Sequence, residues 1–381
     1  MVAKTYYGLE VILAEELERL GAKNIRPLNR AVGFTGDKQL LYKANYCLRT
    51  ALKILVPLTT AFITDESALY NFIRKVQWEN YFTVRSTFAV EAVVKSTVFR
   101  HSHYVEQKVK DAVADRFREH FSIRPSVDTK DPDVRIHINI MDNSARLSLD
   151  SSGDALFKRG YRVGRGPAPL NEVLAAGIIK KTGWEGKLPL IDFMCGSGTI
   201  VIEAAMAALG LPPGVVGRKY GFQQWKDYDP KLFNDITSPF NRRGGGDKFR
   251  IYASDISSRA VNTARINAKR AGIEDNIEFT IGSFEQSIPI CDKMLILVNP
   301  PYGERLKQDN INDLYARLGN KLKRDFTGSE AWIFSGNKEA LKYIGLHPAQ
   351  RSTLFNGQLE CKLQQYILYK GSKKIRTSES Q

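Results

Sequence analysis

The spacing of apolar positions changes character along the chain. In the first sixty or so residues, short strand-like runs alternate with helical spacing. Leu9, Ile12, Leu13, Leu17 and Leu20 share one face of a helix that Gly21 ends. The pattern predicts a strand around 31–34, a helix around 38–48 and an apolar strand through 52–62. That order describes a small α+β unit. A second α+β region extends from about 65 to 155. Phe88 to Val94 alternates as a strand does, and Val105 to Phe121 has helical apolar spacing with abundant charge. Residues 134–140 and 145–149 read as two strands joined by a turn at Asp142-Asn143.

From Pro169 onward the period changes to helix, buried strand, glycine loop, helix, strand, helix, strand. The short apolar runs 188–193, 249–254, 277–281 and 294–298 have the flanks of parallel strands. Their alternation with helices predicts a doubly wound α/β sheet, with ligands at the carboxyl ends of its strands. Between the two patterns lies the basic stretch Lys158-Arg159-Gly160-Tyr161-Arg162-Val163-Gly164-Arg165-Gly166-Pro167. It looks like a linker, because Gly and Pro interrupt any period. The tail 373–381 is polar, and no internal repeat is evident.

At 381 residues the chain implies more than one domain, and 43% hydrophobic residues can bury sizeable cores. A formal charge of +15 favours a polyanionic partner. The four cysteines form no CxxC pair, which argues against zinc ligation or a disulfide framework and fits a reducing compartment. The first residues lack the apolar core of a signal peptide, and no apolar run approaches the roughly 18 residues of a membrane span. A soluble, cytoplasmic protein is expected, with no membrane and no obligate protein partner.

Candidate chemistry gathers in the second half. Asp192-Phe193-Met194-Cys195-Gly196-Ser197-Gly198-Thr199 ends a strand and opens a helix. Glycines there let a ligand approach the backbone, and the helix start offers unpaired N–H groups. The loop has no Walker lysine and is not a full GxGxxG fingerprint. The next strand ends at Asp255, followed by Ile256, where a carboxylate can accept hydrogen bonds from a ribose diol. About 60 residues separate loop and acid, so a segment of roughly 208–247 is expected to loop out. The third strand leads into Gly282-Ser283-Phe284-Glu285, where Phe284 suits either a purine face or the core.

The fourth strand runs into Asn299-Pro300-Pro301-Tyr302. Two prolines at a strand end fix φ and remove two N–H donors, leaving carbonyls free to accept. An exocyclic amine on a base is a poor nucleophile, because its lone pair is delocalised into the ring. Accepting its two N–H groups with the Asn299 side-chain oxygen and the Pro300 carbonyl returns density to nitrogen and aims it. Tyr302 offers a stacking face for a base taken out of its helix.

These residues resemble the class I methyltransferase pattern, and more narrowly the THUMP-domain RNA methyltransferases. The bacterial members acting on N2 of guanine in 23S ribosomal RNA are the nearest match. Leu9-Glu10 with Glu15-Glu16-Leu17 resembles that family's ferredoxin-like opening. Phe99-Arg100-His101-Ser102-His103-Tyr104 with Lys108-Val109-Lys110-Asp111-Ala112 resembles its THUMP segment. Gly160-Tyr161-Arg162 followed by Ala168-Pro169-Leu170-Asn171-Glu172 resembles its entry to the methyltransferase domain. Tyr220-Gly221-Phe222 through Trp225, with Asp229-Pro230, resembles its insertion, and Asn299 through Leu306 its catalytic loop.

The resemblance implies a ferredoxin-like domain over 1–62, a THUMP domain over 63–155, a basic linker over 156–168, a Rossmann-like methyltransferase domain over 169–372 and a flexible tail. It implies S-adenosylmethionine as cofactor. Asp192, Cys195, Gly196, Gly198, Asn171 and Pro169 would approach its methionyl part, with Ser197 and Thr199 in the same loop. Asp255 would hold its ribose, and Ser283 stands where the family often has an acid for the adenine amine. Asn299, Pro300, Pro301 and Tyr302 would form the catalytic loop. Arg100, His101, Lys108 and Lys110 would meet RNA. Lys158, Arg159, Arg162 and Arg165 read either as phosphate contacts or as a solvated linker, and Arg242-Arg243 as RNA contacts or a flexible loop. His101-Ser102-His103 lacks the partners of a metal site. The readings in play are N2-methylation of guanine in 23S rRNA, the same chemistry on tRNA, N6-methylation of adenine, or a non-enzymatic RNA-binding assembly factor.

Overall fold

Strand and helix alternate from the first residues in the computed structural model, which describes residues 1–163, 170–241, 249–301 and 308–370. Val2–Lys4 (β1) precedes a helix over Glu10–Arg19 (α1), whose Leu13 and Leu17 are buried. The chain leaves it at Gly21, φ +89°, as a side-chain-free residue allows. Lys23–Leu28 (β2), Ala31–Thr35 (β3), Lys38–Cys47 (α2) and Lys53–Phe62 (β4) follow. Asp37 caps α2 by accepting the Leu40 N–H at 2.8 Å. Then come Glu66–Arg74 (α3), Thr87–Lys95 (β5), Ser102–Phe121 (α4), Ser126–Val127 (β6), Val134–Met141 (β7) and Ser144–Asp150 (β8). The turn between β7 and β8 places Asp142 at φ +53°.

These eight strands form one sheet in the order β2-β3-β1-β4-β8-β7-β5-β6. The two α+β regions read from the sequence therefore share a sheet, joined where β4 pairs antiparallel with β8. One face packs Ile136, Ile138, Ile140, Leu147 and Leu149 against Val105, Val109, Val113 and Phe117 of α4. Two of the strands missing from the sequence expectation explain themselves. β2 is almost wholly exposed and carries no alternation, and β6 has two residues.

The chain continues through Glu172–Thr182 (α5), Leu190–Asp192 (β9) and Thr199–Ala208 (α6). An insertion containing Pro230–Thr237 (α7) interrupts the pattern. It resumes with Ile251–Asp255 (β10), Ser258–Ala271 (α8), Ile277–Ile281 (β11), Leu295–Val298 (β12), Gln308–Asp325 (α9), Glu330–Ser335 (β13), Gln350–Asn356 (β14) and Leu359–Ile367 (β15). The sheet order is β11-β10-β9-β12-β13-β15-β14. Its first five strands are parallel, while β15 runs antiparallel to both β13 and β14. Strand order reverses between β9 and β12, which is where a doubly wound sheet opens a crevice at its carboxyl edge.

The chain divides into two compact units, Met1–Gly160 with Pro212–Gly244, and Tyr161–Leu211 with Gly245–Gln381. The insertion thus does not simply loop out, as expected, but forms core with the N-terminal unit. Tyr42 of α2 stacks on Phe222 at 4.3 Å between centroids, Tyr220 stacks on Phe222 at 5.3 Å, and Phe233 of α7 meets Phe222 edge-on at 5.4 Å. The expected basic linker is also packed where it is described, with Arg159 2% and Tyr161 0% exposed. Gly160, at φ +106°, turns the chain between these two buried side chains.

Candidate active site

β9 delivers Asp192, and the loop after it turns into the first residues of α6. Gly198 sits at φ +82°, and a Cβ there would lie 2.9 Å from the Ala264 Cβ of α8. Only glycine lets α8 pack so closely on the loop. Gly196, at φ +54°, has nothing within 4 Å of where a Cβ would be, so its backbone is open to approach. The acid expected from the next strand closes on this loop. Gly196 donates its N–H to Asp255 Oδ2 at 3.0 Å, and Ser257 donates to Oδ1 at 2.9 Å. β9 and β10 pair directly, so the long insertion leaves the pairing of loop and acid intact.

Asp192 is 1% exposed and accepts the Met194 N–H at 3.0 Å. Burial pushes its carboxyl up to about 8, with the nearby Asp255 charge adding to the rise and the Met194 N–H opposing it. Burial likewise pushes the Cys195 thiol up, helped by Asp192 and Asp255, so the thiol is a wall of the loop and not a nucleophile.

β12 leads into Asn299, half-buried, and Pro300, buried. The Asn299 Oδ1 is buried and has no hydrogen-bond partner among the described residues. An orphaned buried acceptor of this kind costs about 1–3 kcal/mol, which a ligand N–H would recover. Pro301 is exposed at the rim. Tyr302, Pro169, Arg165 and Arg242-Arg243 lie outside the described residues.

One cavity of about 410 Å³ is lined by Met194, Gly196, Asp255, Ile256, Ser283, Phe284, Asn299 and Pro301, together with Phe193, Glu285, Leu314 and Arg317. Phe284 is 5% exposed and lies 6.5 Å from the Phe193 ring, so it is core and cavity wall at once. The Ser283 hydroxyl bonds the Glu285 carboxylate, which also binds Arg317. Sequence reasoning missed Met194, Glu285, Leu314 and Arg317. Glu285 directly follows Ser283-Phe284 and was within reach of that reading. Leu314 and Arg317 sit on α9, where helical spacing carries no sign of a ligand.

Other expected residues take different places. Asn171 caps α5, accepting the Val173 N–H at 2.9 Å and the Leu174 N–H at 3.4 Å. Ser197 and Thr199 both bind Arg162, whose guanidinium also reaches Glu172 at 2.8 Å and the Leu170 carbonyl at 3.0 Å. Arg162 is therefore a clamp on the glycine loop and not the phosphate contact expected, because its donors are already engaged. Arg159 is corrected in the same way: it is buried and donates to the Leu156 carbonyl at 2.7 Å, out of reach of RNA. Arg100, His101 and Lys158 are exposed. Lys108 lies 5.8 Å over the Tyr70 ring, and Lys110 pairs with Asp111 at 3.2 Å. Among the described residues no group of three or more His, Cys, Asp or Glu is placed to hold a metal. No described helix is long and apolar enough to cross a membrane.

A glycine loop, a strand-end carboxylate and an asparagine whose amide oxygen has no partner among the described residues line one cavity, and these are the parts of a methyl-transfer site. The model of the RMKL-like methyltransferase domain matches residues 159–365. The chain belongs to this methyltransferase family. A THUMP domain model matches 64–150 of the methyltransferase, and the ferredoxin-like domain of RlmL matches 1–55. A candidate RNA methyltransferase of Synechocystis sp. is 36% identical over 95% of this chain and 95% of its own length. The ribosomal RNA large subunit methyltransferase K/L of Psychromonas ingrahamii is 37% identical over 95% of this chain. The chain spans 49% of that longer relative. Among solved structures, a candidate methyltransferase complexed with S-adenosylhomocysteine superposes with a TM-score of 0.86, at 26% identity, covering 97% of this chain and 98% of its own.

Proposed function

We propose that this RNA methyltransferase uses S-adenosylmethionine to methylate N2 of a guanine in 23S ribosomal RNA. The observation that carries the reading is the buried Asn299 Oδ1 at the carboxyl end of β12, which has no hydrogen-bond partner among the described residues. Asn299 lines the same cavity as Asp255 and Gly196 of the glycine loop. The RNA reading draws on the THUMP match and on relatives named for RNA and for large-subunit rRNA.

The residues suit the cofactor. Gly196 leaves its backbone open, and Asp255 can accept from a ribose diol while its two loop N–H bonds hold it still. Phe284 and Ile256 line the cavity and would flank the purine, while Asp192, buried and outside the lining, would act by holding the Met194 N–H of the loop. When bound, the cofactor supplies a methyl group made electrophilic by its sulfonium.

The chain's own residues prepare the acceptor. Asn299 Oδ1 accepts one N–H of the guanine amine and the Pro300 carbonyl accepts the other, which holds the nitrogen in line and withdraws its lone pair from the ring. Rigid prolines keep both acceptors fixed at no reorganisation cost. No strong general base is needed, because the amine turns acidic only once methylated. The remaining RNA-facing candidates are Arg100, His101, Lys108, Lys110 and Lys158, and substrate and charge suit a cytoplasmic enzyme.

Mass spectrometry of nucleosides from rRNA and tRNA of a deletion strain tests the assignment. One N2-methylguanosine should vanish from large-subunit rRNA. Loss from tRNA, or loss of N6-methyladenosine, would replace this reading with its nearest rivals, and no loss at all would favour a non-enzymatic assembly factor.

A further inference from the structure

The N-terminal unit contains a second cavity, of about 300 Å³, that shares no lining residue with the candidate active site. Three separate stretches of chain build it. Arg135 comes from the start of β7, Lys158 from the segment after β8, and Arg218 and Lys219 from the insertion. Its carboxylates are Asp131, Asp133 and Asp154.

Two of these acids are already engaged. Asp133 accepts the Thr87 N–H at 2.7 Å and the Thr87 hydroxyl at 3.1 Å. Asp154 pairs with Lys158 at 3.2 Å and lies 3.8 Å from Arg135. The arginines are held by carbonyls but keep one buried donor each without a partner among the described residues: Arg135 donates Nη2 to the Lys130 carbonyl at 3.1 Å. Arg218 is held by four carbonyls, those of Ala155 at 3.0 Å, Lys158 at 3.4 Å, Ser152 at 3.2 Å and Asp154, and stacks 5.2 Å over Tyr220. Its Nε–H, and that of Arg135, are buried with no acceptor among the described residues. Leaving cationic donors buried and unpaired is costly, and an anionic oxygen from outside would relieve it.

We propose that this cavity is a subsite for one nucleotide of the RNA substrate, its phosphodiester engaged by Arg135 and Arg218 with Lys158 and Lys219 beside them. Four cations against three carboxylates leave a single net positive charge, which matches one phosphodiester rather than a polyphosphate. The volume exceeds what a lone phosphate needs and admits a nucleotide. The aromatic stack of Tyr42, Tyr220 and Phe222 anchors the insertion, so Arg218 is held in place before RNA arrives. On this reading the insertion, though it interrupts the methyltransferase sequence, serves substrate binding in the N-terminal unit. The proposal rests on RNA as substrate.

The test is fluorescence anisotropy of the full chain with a labelled single-stranded RNA of about 20 nucleotides, from about 50 to about 300 mM KCl. Lys158→Ala with Lys219→Ala should weaken binding about tenfold at low salt and make the log–log salt slope shallower by about one to two. Both lysines are exposed, so the fold should survive, and thermal unfolding verifies it. Arg135→Lys keeps the charge but loses the planar fork, and should weaken binding about threefold with the slope nearly unchanged. Lys180→Ala with Lys181→Ala, on α5 of the other unit, should change affinity less than about twofold. Equal losses from both lysine pairs would show bulk charge and overturn the subsite. Unchanged binding by the cavity variants would overturn it too, while leaving the RNA reading intact. A wild-type chain that ignores RNA at every salt concentration would sink both.

Discussion

The two units place their chemistry in opposite ways. In the C-terminal unit, the groups that matter sit at the carboxyl ends of adjacent parallel strands, each within a few residues of a recognisable local pattern. In the N-terminal unit, the cavity charges come from positions as far apart as Arg135 and Arg218, and of these only Lys158 stands in a stretch the sequence singles out. A parallel sheet collects the ends of its strands automatically, whereas a mostly antiparallel sheet with an inserted segment gathers residues only through packing. Site residues of the first kind are local in sequence, and those of the second are not.

Substitutions can break or sharpen this contrast. The largest effect is expected at Asn299→Ala, which removes the orphaned acceptor from the C-terminal site. Turnover should fall about 10²–10³-fold while S-adenosylhomocysteine affinity by calorimetry stays within about threefold. Near-normal turnover would remove Asn299 from the mechanism. Phe222→Ala removes the centre of the aromatic stack and should destabilise the N-terminal unit by about 3–5 kcal/mol, measured by denaturant unfolding. Cofactor affinity should be retained at temperatures where the chain stays folded. A loss confined to the cofactor site would mean the insertion serves the other unit.

Asp255→Ala should weaken S-adenosylhomocysteine binding by about 10–100-fold, since both the ribose acceptor and the Gly196 anchor are lost. Unchanged affinity would end its ribose role.

The last comparison concerns pH, where one buried group from each unit should respond with opposite sign. The Asp192 carboxyl rises to about 8, so between pH 4 and 8 the folded chain holds a proton the unfolded chain has released. Its contribution to stability is therefore lost as pH rises through that window, and Asp192→Asn should remove the slope. Burial lowers His137 to about 4, so the unfolded chain takes up a proton first as pH falls from 6.5. Stability falls with acid there, and His137→Gln should flatten that limb. Each comparison is a difference in melting temperature between wild type and variant across pH 4 to 8, with the larger change at Asp192, whose shift is the wider. Parallel curves for either variant would refute the corresponding assignment.

Much of the C-terminal site was legible because its constraints are local. Gly198 must be glycine for a φ of +82° and for the approach of α8, and such a residue after a buried apolar run is visible in the chain. Asp255 at the next strand end and Asn299 before two prolines are equally plain. Arg317 was not legible, because a cation on an amphipathic helix looks the same whether it faces solvent or a cavity. Arg159 and Arg162 misled for the converse reason: a basic, glycine-broken run resembles a solvated linker, yet their guanidinium groups hold carbonyls and the glycine loop. Composition reports charge and not where the charge is already spent.

The sequence by itself determined the alternation of strands and helices, the order of glycine loop, carboxylate and Asn-Pro-Pro loop, and through these the class of chemistry. Each depends on backbone conformation or on strand order, and both are written in short stretches of chain. Only the tertiary structure decided which unit the insertion joins, that β4 and β8 unite the first two regions in one sheet, and which cations remain available to a ligand. Those outcomes depend on packing between distant segments, where a buried aromatic stack outweighs anything its neighbours in sequence reveal.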